Sequence, residues 1–154
     1  MEWTYQGKPY NPETIPDDLI SFVYIIENID TGQKYIGKKG FWSATRKTVT
    51  LKNKKKKKKR VFVESDWREY YGSSADFTAE VTANGKDRYR REILHLCYSK
   101  GAASYLEAAE QIKRHVLFDD SYSNKWISFR CRAEHMKKHS IPNIFDDTPK
   151  PVTP

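Results

Sequence analysis

No run of apolar residues in this chain approaches the ~20 needed to cross a bilayer, which excludes a helical membrane protein. Cysteine is nearly absent. Cys97 and Cys131 form no CxxC pair and have no short spacing to histidine, so neither a disulfide framework nor a zinc site is expected. Cys97 lies in the apolar stretch 93–98 and reads as a buried thiol. His95, His115, His135 and His139 show no ligand spacing with a carboxylate partner. Acidic residues are in the minority: 20 against 28 Lys and Arg, a formal net charge of +8. That balance points to a polyanionic partner, although a membrane-surface protein would share it. The start, Met1-Glu2-Trp3-Thr4, has no leader character, so a cytoplasmic, reducing location is expected.

Aromatic residues are what the chain has in plenty. Ten Tyr, seven Phe and four Trp can fill a core or stack on bases, and residue by residue the core is the better assignment. A length of 154 residues suits one core rather than two. Residues 1–20 carry Pro9, Pro12 and Pro16 and read as an irregular arm, pinned by Trp3 and Tyr5. Residues 22–28 and 33–37 read as two strands around the turn Asp30-Thr31-Gly32, a hairpin signal. An insertion follows at about 40–66. It holds Lys52 and the unbroken run Lys54, Lys55, Lys56, Lys57, Lys58, Lys59 and Arg60. Like charges at this density repel. The β-prone flanks 48–51 and 61–63 allow an extruded ribbon with lysines at its tip; a disordered loop is the alternative.

Ser73 or Ser74 caps a predicted helix that stops near Asn84-Gly85. Residues 88–98 read as a central strand broken by Gly101, and Ser104 as the cap of a helix over 105–117. Residues 128–140 are a basic extension, ambiguous between helix and strand; 141–154 read as a disordered tail. The fold class is therefore α+β: a small antiparallel three-stranded sheet flanked by helices.

The hairpin carries Phe22-Val23-Tyr24 on one strand and Tyr35-Ile36-Gly37 on the other. This pair resembles the signature of the GIY-YIG nuclease superfamily over residues 21–127. The second half matches to the letter; of the first half only Tyr24 remains. The Tyr71–Ser74 segment, Tyr-Gly-Ser-Ser, resembles that of the small phage-encoded branch. The resemblance implies a metal-dependent endonuclease that cuts nucleic acid, DNA in preference and double-stranded, as a monomer or homodimer and with no membrane partner. Tyr24 would orient or deprotonate the attacking water. Tyr35 would donate a hydrogen bond to the phosphate or the water, and Gly37 would let the backbone approach closely. Glu107 matches the sole protein ligand for Mg²⁺ or Mn²⁺, with Glu110 as the fallback. Its other reading is a capping box with Ser104. The family places an arginine on the phosphate. Arg46 and Arg68 compete, and Arg68 is preferred because the lysine-rich stretch reads as inserted material. Tyr71 would replace the family's missing histidine, and Asn124 would hold its segment against the site. Lys34, Lys38 and Lys39, with the lysine run, are candidate phosphate contacts. The rival function is a non-catalytic basic nucleic-acid-binding protein; a third is an inactive relative acting as an adaptor.

Overall fold

The computed structural model describes residues 1–139, so the predicted tail at 141–154 lies outside the described residues. In chain order the strands are β1 (Trp3–Tyr5), β2 (Lys8–Pro9), β3 (Ser21–Asn28), β4 (Lys34–Gly40), β5 (Trp42–Thr50), β6 (Lys56–Glu64) and β7 (Tyr89–Cys97). Helix α1 (Ala75–Asn84) lies between β6 and β7, and α2 (Lys100–Lys113) follows β7. The hairpin turns where the Asn28 side chain accepts the backbone N–H groups of Asp30 and Thr31, at 2.9 and 3.2 Å. β4 then returns antiparallel, with Tyr24 opposite Gly37 and Ile25 opposite Ile36. β7 pairs antiparallel with the other side of β3, with a bulge at Val23/Tyr24.

These three strands form the antiparallel sheet expected from the sequence, but the complete sheet is larger. β1 pairs in parallel with β7, and β2 pairs with β1, giving a mixed five-stranded order β2-β1-β7-β3-β4. The N-terminal arm is thus partly strand. Its anchor is Trp3, buried and donating its indole N–H to the Trp67 carbonyl at 2.8 Å. Three residues are too few to show an alternation; the strand exists because β7 offers an open edge.

Alternation along β3 splits the core into two layers. Phe22, Tyr24 and Ile26 pack with Trp3, Trp67 and, from α1, Phe77 and Val81. Val23 and Ile25 face the other way, with Ile36 and Cys97, onto Ala102, Ala103 and Leu106 of α2. The Cys97 thiol is buried there, and burial pushes its pKa up to about 12, which leaves it inert.

Helix α1 starts as expected. Ser74 Oγ accepts the Phe77 N–H at 3.4 Å, and the Gly85 N–H closes the end on the Val81 carbonyl. Helix α2 does not. It begins at Lys100 behind a different cap, Ser99, whose Oγ accepts the Ala102 N–H at 3.0 Å, and it ends at Lys113. Gly101 does not end β7 as a breaker. It sits in the first helical turn, where a Cβ would collide with the His135 ring. Ser104 is therefore inside the helix, and the predicted capping box with Glu107 does not form.

The insertion is a ribbon, not a disordered loop. β5 and β6 pair over nine positions, from Trp42↔Glu64 to Thr50↔Lys56. The lysines are not confined to its tip, since Lys56–Lys59 lie inside β6 opposite Thr50–Lys47. Residues 128–139 form neither helix nor strand beyond a single 3₁₀ turn at Ala133–Met136.

Candidate active site at the outer edge of β4

β4 is the last strand of the sheet, so its outer N–H and C=O groups need partners from elsewhere. The segment after α2 supplies them. The Lys34 N–H donates to the Ser121 carbonyl and the Ser123 N–H to the Lys34 carbonyl, both at 2.7 Å. Asn124 then satisfies both groups of Ile36: its Oδ1 accepts the N–H at 3.0 Å and its Nδ2 donates to the carbonyl at 2.7 Å. Gln111 Nε2 from α2 reaches the same carbonyl at 3.3 Å. Asn124 is buried, so Asn124→Ala would orphan a buried N–H. A loss of about 2 kcal/mol in chemical unfolding is expected, since stranded donors cost on that order; an unchanged midpoint would mean that water replaces the amide.

A cleft of about 710 Å³ runs along this edge, lined among others by Tyr35, Gly37, Lys38, Glu107, Asn124 and Trp126. Both layers of the fold reach it. From the α1 side comes Tyr35, its ring stacked on Phe77 at 5.1 Å and its hydroxyl 3.2 Å from Ser73 Oγ. From the α2 side come Lys38, which donates to Ser104 Oγ at 2.6 Å, and Glu107. Gly37 is the narrow point between them. A Cβ there would collide with the Tyr24 hydroxyl and come within 2.6 Å of its Cζ, so only glycine lets that phenol close against the strand.

The electrostatics follow from burial. Tyr24 is 0 % exposed and its hydroxyl is a buried group without a hydrogen-bond partner among the described residues. The Tyr70 ring meets it edge-on at 5.8 Å. Burial holds the Tyr24 phenol well above its ordinary pKa, and the phenols of Tyr70 and Tyr35 and the Glu107 carboxylate add to this. Tyr35 is also raised, by burial first, against the opposing bond to Ser73. The Glu107 carboxyl is raised by burial, with the Lys38 ammonium and a hydrogen bond with Gln111 acting in the opposite direction. Both phenols are therefore neutral donors at physiological pH, and a cation beside Glu107 would offset the burial that disfavours its charge.

A family model described as "Putative endonuclease segE, GIY-YIG domain" matches residues 3–127, which spans the sheet, both helices and the clamp at Asn124. The chain belongs to the GIY-YIG endonuclease family. Nothing among curated proteins or solved structures matches it significantly. The family is one of nucleases, so nucleic acid is the substrate class its fold implies.

Within this GIY-YIG domain Tyr35, Gly37, Lys38, Glu107 and Asn124 line the cleft at the edge of β4, and Tyr24 lies fully buried against Gly37 without lining it. Neither arginine candidate lines the cleft. Arg68 is held by Glu64 at 2.9 Å, by the Pro12 carbonyl at 2.8 Å and by Asn11, with its guanidinium over Trp67. Arg46 is exposed on the ribbon, opposite Arg60. Spacing from the Tyr-Ile-Gly strand could not show this, because tertiary partners capture Arg68 and the ribbon carries Arg46 off. Tyr71 is buried under the Arg91 guanidinium at 4.2 Å and does not line the cleft. Glu110 faces away from the cleft, bonded to His95 at 2.8 Å and Arg114 at 3.1 Å, so it is no substitute for Glu107. Lys39 is paired with Asp66 at 2.6 Å over the Tyr70 ring, and Lys34 lies over Tyr122. Lys54–Arg60 belong to the ribbon and its tip.

Nothing in the sequence singles out Gln111 or Trp126 for the site, and Ser73 stands out there only as a helix-cap candidate and within the Tyr71–Ser74 segment. Trp126 is 73 % exposed at the cleft. Its only advance signal was a tryptophan two residues after Asn124.

Proposed function

We propose that this chain is an endonuclease hydrolysing phosphodiester bonds of double-stranded DNA, with the scissile phosphate lying along the outer edge of β4 at Gly37. What carries the reading is the convergence of Tyr35, Lys38 and Glu107 on one cleft, with the unpartnered Tyr24 hydroxyl closing against Gly37 behind it. Phosphodiester hydrolysis needs an activated water, charge compensation on the phosphate oxygens, and stabilisation of the leaving alkoxide. The Lys38 ammonium supplies positive charge where the family places an arginine, as a point charge rather than a bidentate fork. Tyr35 donates to a phosphate oxygen or to the water. Tyr24 acts as a neutral hydrogen-bond donor, not as the base, because its surroundings oppose ionisation.

The residues fit a divalent cation. Among the described residues no cluster of three or more metal-ligating side chains occurs. Mg²⁺, however, keeps most of its waters and needs only one or two carboxylates, and Glu107 is a partly buried carboxylate opening onto the cleft. A cation held there would lower the pKa of its bound water and neutralise charge on the phosphate. Glu107 would hold such a cation, while Gln111 and Asn124, both bonded to the Ile36 carbonyl, keep the strand edge rigid beneath the substrate.

Incubating supercoiled plasmid with the protein and Mg²⁺ or Mn²⁺, with and without EDTA, tests this. Nicking that EDTA abolishes is expected. A mobility shift in every tube with no nick in any would leave a basic nucleic-acid-binding protein on the same fold.

A further inference from the structure

We propose that the β5–β6 ribbon is a DNA-binding arm that enters the major groove of B-form duplex, apart from the cleft at β4. The inference takes nucleic acid as ligand from the nuclease reading and needs nothing else from it. Nine residue pairs make an arm of about 30 Å at ~3.4 Å per residue. β5 and β6 pack on each other and on little else. The arm is fixed only at its base, where the Trp42 indole donates to the Leu19 carbonyl at 2.9 Å and Ser65 Oγ to the Gly40 carbonyl at 2.6 Å.

Its charge is distributed in an unusual way. Residues directly opposite share a face, and faces alternate along each strand. One face therefore carries Arg46, Lys56, Lys58 and Arg60. The other carries Lys47, Lys57 and Lys59. No Asp or Glu occurs between Trp42 and Val63, and none of these cations is ion-paired among the described residues. Arg46 faces Arg60 and Lys47 faces Lys59, arrangements that destabilise a hairpin with no core of its own. A polyanion around the arm would offset that cost.

A ribbon lying on one sugar-phosphate backbone needs cations on one face. Cations on both faces match a slot with phosphates along both walls. The major groove of B-DNA, about 12 Å wide, admits a two-stranded ribbon, whereas the minor groove, about 6 Å wide, does not. The side chains between the cations are mostly Thr and Val rather than Asn or Gln, so phosphates would fix the arm with little reading of bases.

Fluorescence anisotropy with a labelled DNA duplex, across a salt series, tests the two faces separately. One variant is R46Q/K56Q/K58Q/R60Q and the other is K47Q/K57Q/K59Q, each checked by circular dichroism and thermal melting. Each lost phosphate contact lowers the slope of log K against log salt by ~0.9, so falls of about 3–4 and about 2–3 are expected for the first and second variants. An RNA duplex of the same sequence should bind at least ~10-fold more weakly, because the A-form major groove is closed to side chains. A native slope in either variant, or equal RNA binding, overturns the groove assignment. Plasmid nicking by the native protein, scored separately, keeps the two readings apart. Nicking with native slopes in both variants sinks the arm alone; the expected slope changes without nicking support the arm and sink the nuclease.

Discussion

Glu107→Gln is expected to lower the nicking rate by ~10²–10³-fold, the scale of losing one group that stabilises charge in the transition state, while the protein melts no lower than the native form. The two halves of that result have one cause. Burial raises the Glu107 carboxyl above its ordinary value, more than Lys38 and Gln111 bring it down. A group raised in the folded state contributes stability that is complete below its unfolded pKa and lost as pH rises through the folded one. At neutral pH the ionised Glu107 is thus a cost to folding, and a neutral isostere removes the cost. The native rate should fall as pH drops through that raised value, because only the carboxylate can hold a cation. A variant that unfolds readily would make Glu107 structural, and one that nicks at the native rate would remove it from the chemistry.

Tyr24→Phe should separate activity from stability in the same direction, for a different reason. The hydroxyl is buried and has no well-formed hydrogen bond among the described residues, so folding strips more hydration from it than it returns. Deleting it should raise the unfolding free energy by about 1 kcal/mol. The same deletion should slow hydrolysis by ~10²-fold if the phenol donates to the substrate or to the attacking water, the lower end of what positioned proton donors contribute. Denaturant unfolding and single-turnover nicking, run on one preparation, give both numbers. A stabilised variant with native activity would make Tyr24 a core residue whose hydroxyl has no task. Ring burial beside Trp3 at 5.5 Å and Tyr35 at 6.4 Å is untouched by the substitution, so packing does not confuse the comparison.

Several parts of the fold were legible because short-range chemistry decides them. The β3–β4 hairpin needs only two apolar strands and a turn closed by Asn28, and all of that is local. Helix α1 is bounded by Ser74 and Gly85 for the same reason. Helix α2 was misplaced because Ser99 and Ser104 offer the same cap chemistry. The choice between them is made by contacts distant in sequence: Ala102 and Ala103 packed against β3 and β4, and His135 against Gly101. β1 is not legible in the sequence because a three-residue strand has no pattern of its own. The arginine question was not answerable from spacing, because Asn11, Pro12 and Glu64 remove Arg68 from the cleft.

By itself the sequence determined the two-tyrosine hairpin, the positive charge and the two carboxylates, Glu107 and Glu110, on the helix after the third core strand, since residue type and local pairing settle them. Only the tertiary structure decided that these groups meet. The edge of β4 is open to both layers at Gly37, where a missing side chain admits the Tyr24 phenol from one side and α2 brings Glu107 from the other. Which buried group loses its water, and which arginine is captured elsewhere, depends on neighbours far along the chain, and no local pattern encodes that.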